Sequence, residues 1–245
     1  MEPVYAAVEW AAQGMSTFQG LRFTRVGVEN LPRDGGAVLA INHTGYLDFV
    51  SIGLTARSRG RRIRFMAKAE LADNPVLRFL MRNTRTIAVD RAAGTASYRS
   101  AVEALKAGEL VGVYPEGTIS RSFELKKFKS GAARMALEAG VPIVPSIVWG
   151  AQRIATKGQP LRLGRHRIPV TVVVGEPIAP DGGPESLTAT LHERMAALLA
   201  EAQRDYPHPV GEPWVPRRLG GTAPTLAEAT KLDEDEARAR RFRAS

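Results

Sequence analysis

Two residues with complementary acid–base chemistry stand five positions apart, where a predicted strand gives way to a predicted helix. His43 follows the apolar run Ala37–Ile41, and Asp48 lies near the start of a helical pattern that reaches Arg57. An imidazole with an ordinary pKa of about 6.5 suits a general base at neutral pH. A carboxylate beside it can hold its tautomer. Open α/β sheets place ligands at such carboxyl ends of strands.

The same residues also have a purely structural interpretation. Thr44 belongs to the residue types that cap helices, and Asp48 is favoured in a first helical turn. On this interpretation His43 is an ordinary loop residue, and the spacing arises by chance. The pair therefore needs support from other parts of the chain.

Three further polar blocks lie at the ends of strands in the same predicted sheet. Asp90 and Arg91 follow a short strand, and residues 114–118 (Tyr-Pro-Glu-Gly-Thr) follow another. A block with two prolines at 141–145 opens a third strand. Asp90 and Arg91 alone are an ordinary surface ion pair. Together, the blocks bring His, Asp, Arg and Glu side chains to one sheet edge.

The elements that must position these residues alternate along the chain. Strands are predicted at 21–28, 37–41, 63–67, 86–89, 110–114, 143–149 and 170–174, and helices at 4–18, 44–57, 71–81, 95–107, 130–138, 187–202 and 225–243. This alternation indicates a single α/β domain with a mostly parallel central sheet flanked by helices. We divide the chain into an N-terminal amphipathic helix (1–20), a main domain (21–206) and a Pro/Gly-rich arm with a short C-terminal helix (207–245).

Taken in order, the blocks resemble the motifs of the glycerolipid acyltransferases. The motifs are Asn-His-x4-Asp at 42–48, hydrophobic-Asp-Arg at 89–91, aromatic-Pro-Glu-Gly-Thr at 114–118 and aliphatic-Pro at 141–142. A Phe-Lys-x-Gly stretch at 128–131 matches as well. The resemblance covers about residues 20–205. It implies a glycerol-3-phosphate acyltransferase-like fold, with 21–206 as the acyltransferase domain.

The resemblance also implies a reaction, the transfer of a fatty acyl group from a thioester of coenzyme A or acyl carrier protein. The implied acceptor is the free hydroxyl of 1-acylglycerol-3-phosphate, and the product is phosphatidic acid for phospholipid synthesis. His43 would take the hydroxyl proton, and Asp48 would orient the imidazole and stabilise the imidazolium. Because the chain has no cysteine and no Gly-x-Ser-x-Gly motif, we expect direct transfer without an acyl-enzyme. No metal or tightly bound cofactor is expected.

The resemblance assigns substrate contacts to the remaining blocks. The implied substrate-binding residues are Asn42, Arg91, Glu116, Gly117, Thr118, Arg121, Lys129 and Pro142. Arg91 is assigned to the acceptor phosphate because a guanidinium binds phosphate bidentately. The family usually has arginine directly after Pro-Glu-Gly-Thr, whereas this chain has Ile119, so Arg121 or a nearby lysine is expected to replace it. Pro142 is expected to border the acyl-donor site, or simply to begin a strand.

The charge balance predicts an anionic partner. Thirty-four basic and 25 acidic residues give a formal net charge of +9, and 27 of the basic residues are arginine. Nucleic acid, an anionic membrane surface and a phosphorylated substrate all fit this charge. An aromatic content of 7% and the lack of a nucleic-acid-binding motif favour the membrane surface.

The membrane contact is expected to be peripheral and on the cytoplasmic side. No run approaches the roughly 18 apolar residues of a spanning helix. The predicted helix at 4–18 and the arginines at 57, 59, 61, 62 and 64 are the expected contacts. The helix could instead pack on the body of the protein, and the arginines could form an ordinary solvated loop. Apolar residues at 76–81 are expected to enter lipid or to form an acyl tunnel.

Other functions fit part of this sequence. The same chemistry could act on another lysophospholipid or on a glycolipid. A non-catalytic basic module that binds lipid or nucleic acid would account for the charge, but such a surface needs no His-x4-Asp pair. The oligomeric state is left open.

Overall fold

A computed structural model describes residues 2–90 and 94–244, and its regular elements alternate as the sequence predicts. The strands are β1 (Arg22–Val26), β2 (Ala37–Ile41), β3 (Ile63–Lys68), β4 (Ile87–Val89), β5 (Leu110–Val113), β6 (Ile143–Trp149) and β7 (Pro169–Val174). The helices are α1 (Pro3–Phe18), α2 (Asp48–Arg57), α3 (Pro75–Asn83), α4 (Gly94–Lys106), α5 (Gly131–Ala139), α6 (Pro184–Arg204) and α7 (Leu226–Ala244).

The strands form one sheet in the order β1-β7-β6-β2-β5-β3-β4. Strands β2 to β6 are parallel to one another, whereas β7 is antiparallel to β6 and parallel to β1. The central strands β2, β5 and β6 are buried along their whole length, as expected of a parallel sheet covered on both faces. The predicted α/β class with a mostly parallel sheet is confirmed.

The two faces of β2 separate the hydrophobic core into two layers. Val38 and Ala40 pack in the layer that includes side chains from α4, α5 and α6. Ala37, Leu39 and Ile41 pack in the other layer, which includes side chains from α2. This alternation follows the period of two of a strand, and it fixes β2 as the rigid support of the loop that follows it.

The prediction of one helix at 71–81 is wrong in its bounds. A 3₁₀ turn, Ala69–Asp73, comes first, and α3 begins at Pro75. The Asn74 side chain accepts hydrogen bonds from the backbone N–H groups of Val76 and Leu77, at 2.9 and 3.2 Å. An Asn cap followed by Pro at the first helical position is a strong start signal, so the segment divides there.

Helix α1 is attached to the domain by the arginines that follow α2. Arg62 and Arg64 both form ion pairs with Glu2, and the nearly buried Arg64 also pairs with Glu109. Arg61 donates hydrogen bonds to three backbone carbonyl groups of neighbouring loops. These internal partners give the three guanidinium groups a structural role, and the expected lipid contact of the arginine loop stays a prediction.

Arg57, at the end of α2, makes a further contact with α1. Its guanidinium lies 4.4 Å from the centre of the Trp10 ring. The other end of α2 begins at Asp48. Helix α2 therefore connects the N-terminal helix directly to a predicted catalytic residue.

The arm after α6 packs against the end of β6. Trp149 Nε1 donates a hydrogen bond to His208 Nε2 at 3.2 Å, and the rings of Tyr206 and Trp214 adjoin the His208 ring. Val215 is fully buried. The arm thus leads to α7 along the surface of the domain.

Candidate active site

The loop between β2 and α2 is organised by one carboxylate oxygen. Asp48 Oδ2 lies 3.1 Å from His43 Nδ1 and accepts hydrogen bonds from the backbone N–H groups of Thr44 and Gly45, each at 2.9 Å. A Cβ at position 45 would lie 2.9 Å from the carbonyl oxygen of Ala155, so the packing requires glycine there. Helix α2 consequently begins at Asp48 and not at the predicted Thr44.

Burial makes Asp48 dependent on its partners. The side chain is fully buried, and burial raises the pKa of its carboxyl group, opposed by the hydrogen bond and charge of His43 and by the N–H groups of Gly45 and Thr44. Its Oδ1 atom has no hydrogen-bond partner within the described part of the chain. A protonated His43 is therefore the cation that this carboxylate is placed to stabilise.

The imidazole of His43 is held by two neighbouring side chains and remains partly exposed to solvent. Its ring stacks on Tyr114, with the ring centres 4.0 Å apart and an interplanar angle of 21°. Because Nδ1 faces Asp48, Nε2 is on the opposite side of a ring that is 20% exposed. This arrangement leaves Nε2 as the proton acceptor.

Tyr114 acts through its ring and not as an acid. Burial raises the pKa of its hydroxyl group well above the usual range, and the charge of Asp48 raises it further. The hydroxyl therefore stays neutral at physiological pH. Sequence reasoning includes Tyr114 only as the aromatic position of a motif and does not predict its stacking on His43.

Glu116 ties the histidine loop to the segment that follows β5. Its Oε1 atom accepts from the backbone N–H of His43 at 2.8 Å, and Oε2 accepts from that of Lys126 at 3.1 Å. Burial raises the pKa of Glu116 to about 8, although the hydrogen bonds from His43 and Lys126 lower it. The structure thus places Glu116 beside the catalytic loop, where both carboxylate oxygens accept from backbone N–H groups and position His43. Its substrate-binding role stays a prediction.

Gly117 and Thr118 continue the segment after β5, and each lies close to a lysine side chain. Gly117 has a φ of +73° and closes a turn by donating its N–H to the Tyr114 carbonyl at 2.9 Å. A Cβ at position 117 would lie 3.1 Å from Lys129 Nζ, so the ammonium group lies directly over this glycine. Thr118 Oγ1 accepts a hydrogen bond from Lys126 Nζ at 2.7 Å. Glycine, hydroxyl and ammonium groups therefore meet beside the candidate base.

Arg121 lies in a cluster of charges that sequence reasoning finds only in part. Its guanidinium and the ammonium groups of Lys126 and Lys157 form ion pairs with Asp233 and Glu236 of α7. The sequence suggests Arg121 and Lys126 as cations near the motif. Lys157 belongs to the β6–β7 loop, far along the chain, and no local pattern predicts it.

The sequence profile of the family described as "Acyltransferase" matches residues 22–149, which include all four motif blocks. This chain belongs to the acyltransferase family. It is 32% identical over 152 residues to the 1-acyl-sn-glycerol-3-phosphate acyltransferase of Bacillus subtilis, with 61% of this chain and 70% of that protein covered. The predicted family resemblance is confirmed.

Two further comparisons concern a plastid relative and the fold. A chloroplastic 1-acyl-sn-glycerol-3-phosphate acyltransferase of Arabidopsis thaliana is 29% identical over 178 residues, covering 71% of this acyltransferase but 48% of the plant protein. The crystal structure of the PlsC LPA acyltransferase of Thermotoga maritima superposes with a TM-score of 0.66 at 24% identity, over 83% of this chain and 84% of that one. The latter comparison shows a shared fold.

The position of Asn42 in this acyltransferase does not fit the predicted substrate-binding role. The side chain is fully buried. Its amide donates to the Val148 carbonyl at 3.0 Å and accepts from the Val148 N–H at 2.7 Å. Because this pairing extends the contact of β2 with β6, Asn42 fixes the start of the catalytic loop and does not face a ligand.

Pro142 is separated from the acyltransferase site by the length of β6. The next residue, Ile143, pairs with Val38 at the beginning of β2, whereas His43 follows the opposite end of that strand. The strand-start interpretation fits this position, and a border of Pro142 with the acyl-donor site stays a prediction. Arg91 lies outside the described residues.

Over residues 2–90 and 94–244, no three His, Cys, Asp or Glu side chains form a group that could hold a metal ion.

Proposed function

We propose that this acyltransferase moves a fatty acyl group from a coenzyme A or acyl carrier protein thioester to the free hydroxyl of 1-acylglycerol-3-phosphate. The product is phosphatidic acid, a precursor for phospholipid synthesis. The bacterial and plastid relatives are named for this acceptor, which supports the proposal. The observation that carries the proposal is the His43–Asp48 pair with an accessible Nε2.

The chemistry follows from this pair. As the acceptor oxygen attacks the thioester carbonyl carbon, its proton passes to His43 Nε2, and Asp48 stabilises the imidazolium. The tetrahedral intermediate then collapses, the carbon–sulfur bond breaks, and the proton passes from Nε2 to the departing thiolate. The products are an ester and a free thiol, and the imidazole returns to its starting state.

The basic residues around the motif suit a phosphorylated acceptor. Lys129 lies over Gly117 and is exposed, while Thr118 offers a hydroxyl group within hydrogen-bond distance of Lys126. A phosphate monoester carries a charge between −1.5 and −2 at about pH 7 and accepts several hydrogen bonds. We assign these residues to acceptor binding.

We also propose peripheral attachment to the cytoplasmic face of the membrane, through apolar side chains on two helices. Trp10, Met15 and Phe18 of α1 and Val76, Leu77 and Phe79 of α3 are exposed. Amphipathic helices with aromatic and aliphatic side chains bind at the lipid interface. Among the helices described by the structure, none combines the length and apolarity needed to cross a bilayer.

The direct test measures thiol release from palmitoyl-CoA with and without lysophosphatidic acid, and identifies the lipid product by thin-layer chromatography. Release that requires the acceptor, with phosphatidic acid as product, is the expected result. A panel with other lysophospholipids, a lysoglycolipid and palmitoyl acyl carrier protein identifies the preferred acceptor and donor. Acceptor-independent hydrolysis, or no release in any combination, would contradict the proposal.

A further inference from the structure

We propose that Arg121, Lys126 and Lys157 form the binding site for the acceptor phosphate, and that Asp233 and Glu236 of α7 occupy this site until the acceptor displaces them. The inference rests on the proposed function, because the phosphate is that of the lipid acceptor. It adds a cation, Lys157, and a displaceable cover, α7, to the site described above.

The contacts form one closed network. Asp233 is 3.2 Å from Arg121 Nε, 2.6 Å from Lys126 Nζ and 3.4 Å from Lys157 Nζ. Glu236 is 2.9 Å from an Arg121 terminal nitrogen and 3.1 Å from Lys157 Nζ. Two carboxylates thus span three cations, whose side chains are only 15–20% exposed.

The three cations are fixed to the catalytic loop from two directions. Lys126 binds Thr118 Oγ1 through its ammonium group and is held through its backbone N–H by Glu116. Lys157 follows Thr156, whose hydroxyl donates to the carbonyl of Thr44 at 2.6 Å. Since Thr44 directly follows the base His43, Lys157 is held next to the loop that carries the base.

The carboxylates of α7 match a phosphate in charge and in hydrogen-bonding character. Burial alone would raise the pKa of Asp233, but the hydrogen bond from Lys126 and the charges of Lys157 and Lys126 hold it below the usual range. Two ionised carboxylates bring a charge of about −2, the same as a phosphate monoester dianion. With α7 in place, the three cations and two carboxylates have a formal net charge of +1. Without α7 the three cations have a charge of +3, which favours binding of an anion.

Among the described side chains of α7, those of one face take part, and the first turn of the helix is attached separately. Asp233 and Glu236 are partly buried, whereas the neighbouring Glu234 and Asp235 are exposed. The first turn is held by the buried Ala229 and by an ion pair of Glu228 with Arg217. A phosphate would replace Asp233 and Glu236 in their ion pairs with the three cations, so a ligand can release the distal part of α7 while its first turn stays docked.

The kinetic test compares two double variants with the same change in charge. Asp233→Asn with Glu236→Gln removes the competing carboxylates, and we expect the KM for lysophosphatidic acid to fall at least about fivefold, the low end of typical coupling between sites. Glu234→Gln with Asp235→Asn alters the exposed face and should keep the wild-type KM. An unchanged KM in the first variant, or an equal fall in both, overturns the inference.

A binding test reports the displacement without catalysis. Since the chain has no cysteine, Ala239→Cys on the exposed part of α7 accepts a single spin or fluorescent label. Glycerol 3-phosphate should increase the mobility of the label, and the Asp233→Asn/Glu236→Gln background should show high mobility before any addition. A label that stays immobile in both experiments overturns the inference.

The role of Lys157 has its own test. Lys157→Gln should raise the KM for lysophosphatidic acid and leave the KM for monoacylglycerol, which lacks phosphate, at the wild-type value. Equal effects on the two acceptors overturn the assignment of Lys157. Failure of the proposed function is distinguishable, since it would abolish acyl transfer to lysophosphatidic acid in the wild-type protein, whereas the label experiment would still report whether α7 and phosphate compete.

Discussion

The ring of Tyr114 covers one face of the His43 imidazole at a centre-to-centre distance of 4.0 Å. The pairing of β2 with β5 produces this contact, because Ala40 is opposite Val113 and the two chains leave the sheet side by side. The stack and the bond to Asp48 hold the imidazole from two directions. An unliganded protein therefore already presents Nε2 in a defined orientation.

The stack predicts unequal effects for two substitutions of Tyr114. Tyr114→Phe keeps the ring and should retain near wild-type kcat, because the neutral hydroxyl has no catalytic role. Tyr114→Leu removes a contact worth about 0.5–1.5 kcal/mol and should lower kcat by about 2- to 12-fold. Steady-state kinetics on both variants, matched by circular dichroism, provide the measurement. A Phe variant as impaired as the Leu variant would assign chemistry to the hydroxyl.

Removal of the base should abolish most of the turnover without unfolding the protein. His43→Ala is expected to lower kcat by about 10²- to 10⁴-fold, the range of a general base. Its thermal unfolding midpoint should fall modestly, since the stack on Tyr114 and the hydrogen bond to the buried Asp48 are lost. A well-folded variant with near wild-type kcat would remove the central assignment.

Asp48→Asn should combine a kinetic and a structural defect. The amide can place its NH₂ group against N–H donors that now meet Oδ2, and it no longer stabilises the imidazolium. We expect a large loss of kcat together with a lower free energy of unfolding, about 1–3 kcal/mol for each backbone group left unsatisfied. Urea titration beside kinetics separates the two effects. Asp34→Asn, in the turn before β2, is the control for the charge change.

The raised pKa of Glu116 predicts how the free energy of unfolding depends on pH. Its pKa is raised from an ordinary 4.5 to about 8 in the folded protein, so the folded state holds the proton more tightly than the unfolded state. The resulting stabilisation is fully present below pH 4.5 and is lost as pH rises through about 8. Relative to Glu116→Gln, which cannot titrate, the wild type should lose at most about 5 kcal/mol across this window, at 1.36 kcal/mol per pKa unit.

Urea unfolding at intervals between pH 4.5 and 8 measures this difference. Glu103→Gln, an exposed position on α4, should give a difference from wild type that does not vary with pH. A flat difference for Glu116→Gln as well would show that the carboxyl group is ionised throughout and that the backbone hydrogen bonds outweigh burial.

The membrane proposal predicts dependence on apolar side chains more than on arginines. Val76→Ser with Phe79→Ser should reduce flotation with anionic liposomes several-fold, because both side chains are exposed on α3. Val210→Ser removes an even more exposed apolar group from the arm and should leave flotation unchanged. If α3 makes no contact with lipid, both variants will float like the wild type.

The arginine loop needs a different measurement. Arg61 donates to three carbonyl groups, so Arg61→Ala should lower the unfolding midpoint before it affects liposome binding. A stable variant with weakened flotation would support the lipid contact that the sequence suggests.

The sequence predicts the sheet well because its central strands are apolar runs bounded by turn residues. The strands 37–41 and 143–149 are predicted with the observed bounds. The motif blocks likewise place His43, Asp48 and residues 114–118 at one sheet edge. These features depend on local pattern and on the rule that parallel strands present their carboxyl ends together.

The features that the sequence does not predict depend on relationships that local pattern does not encode. The direction and register of β6 place Pro142 at the sheet edge opposite His43. The partners of Lys157 lie 76 and 79 positions away on α7. The partners of Arg61 lie in loops distant in sequence, and those of Arg62 and Arg64 include Glu2 at the start of the chain.

Helix α2 has its first residue in the catalytic pair and its last residue against Trp10 of α1. Ten helical residues form a rod of about 15 Å. If α1 rests on lipid, this rod sets the height of the imidazole above the headgroups, and a longer or shorter α2 would raise or lower the reacting atoms relative to a substrate whose tails stay in the bilayer. The length of helix α2 would thus set the distance between the membrane surface and the His43 imidazole.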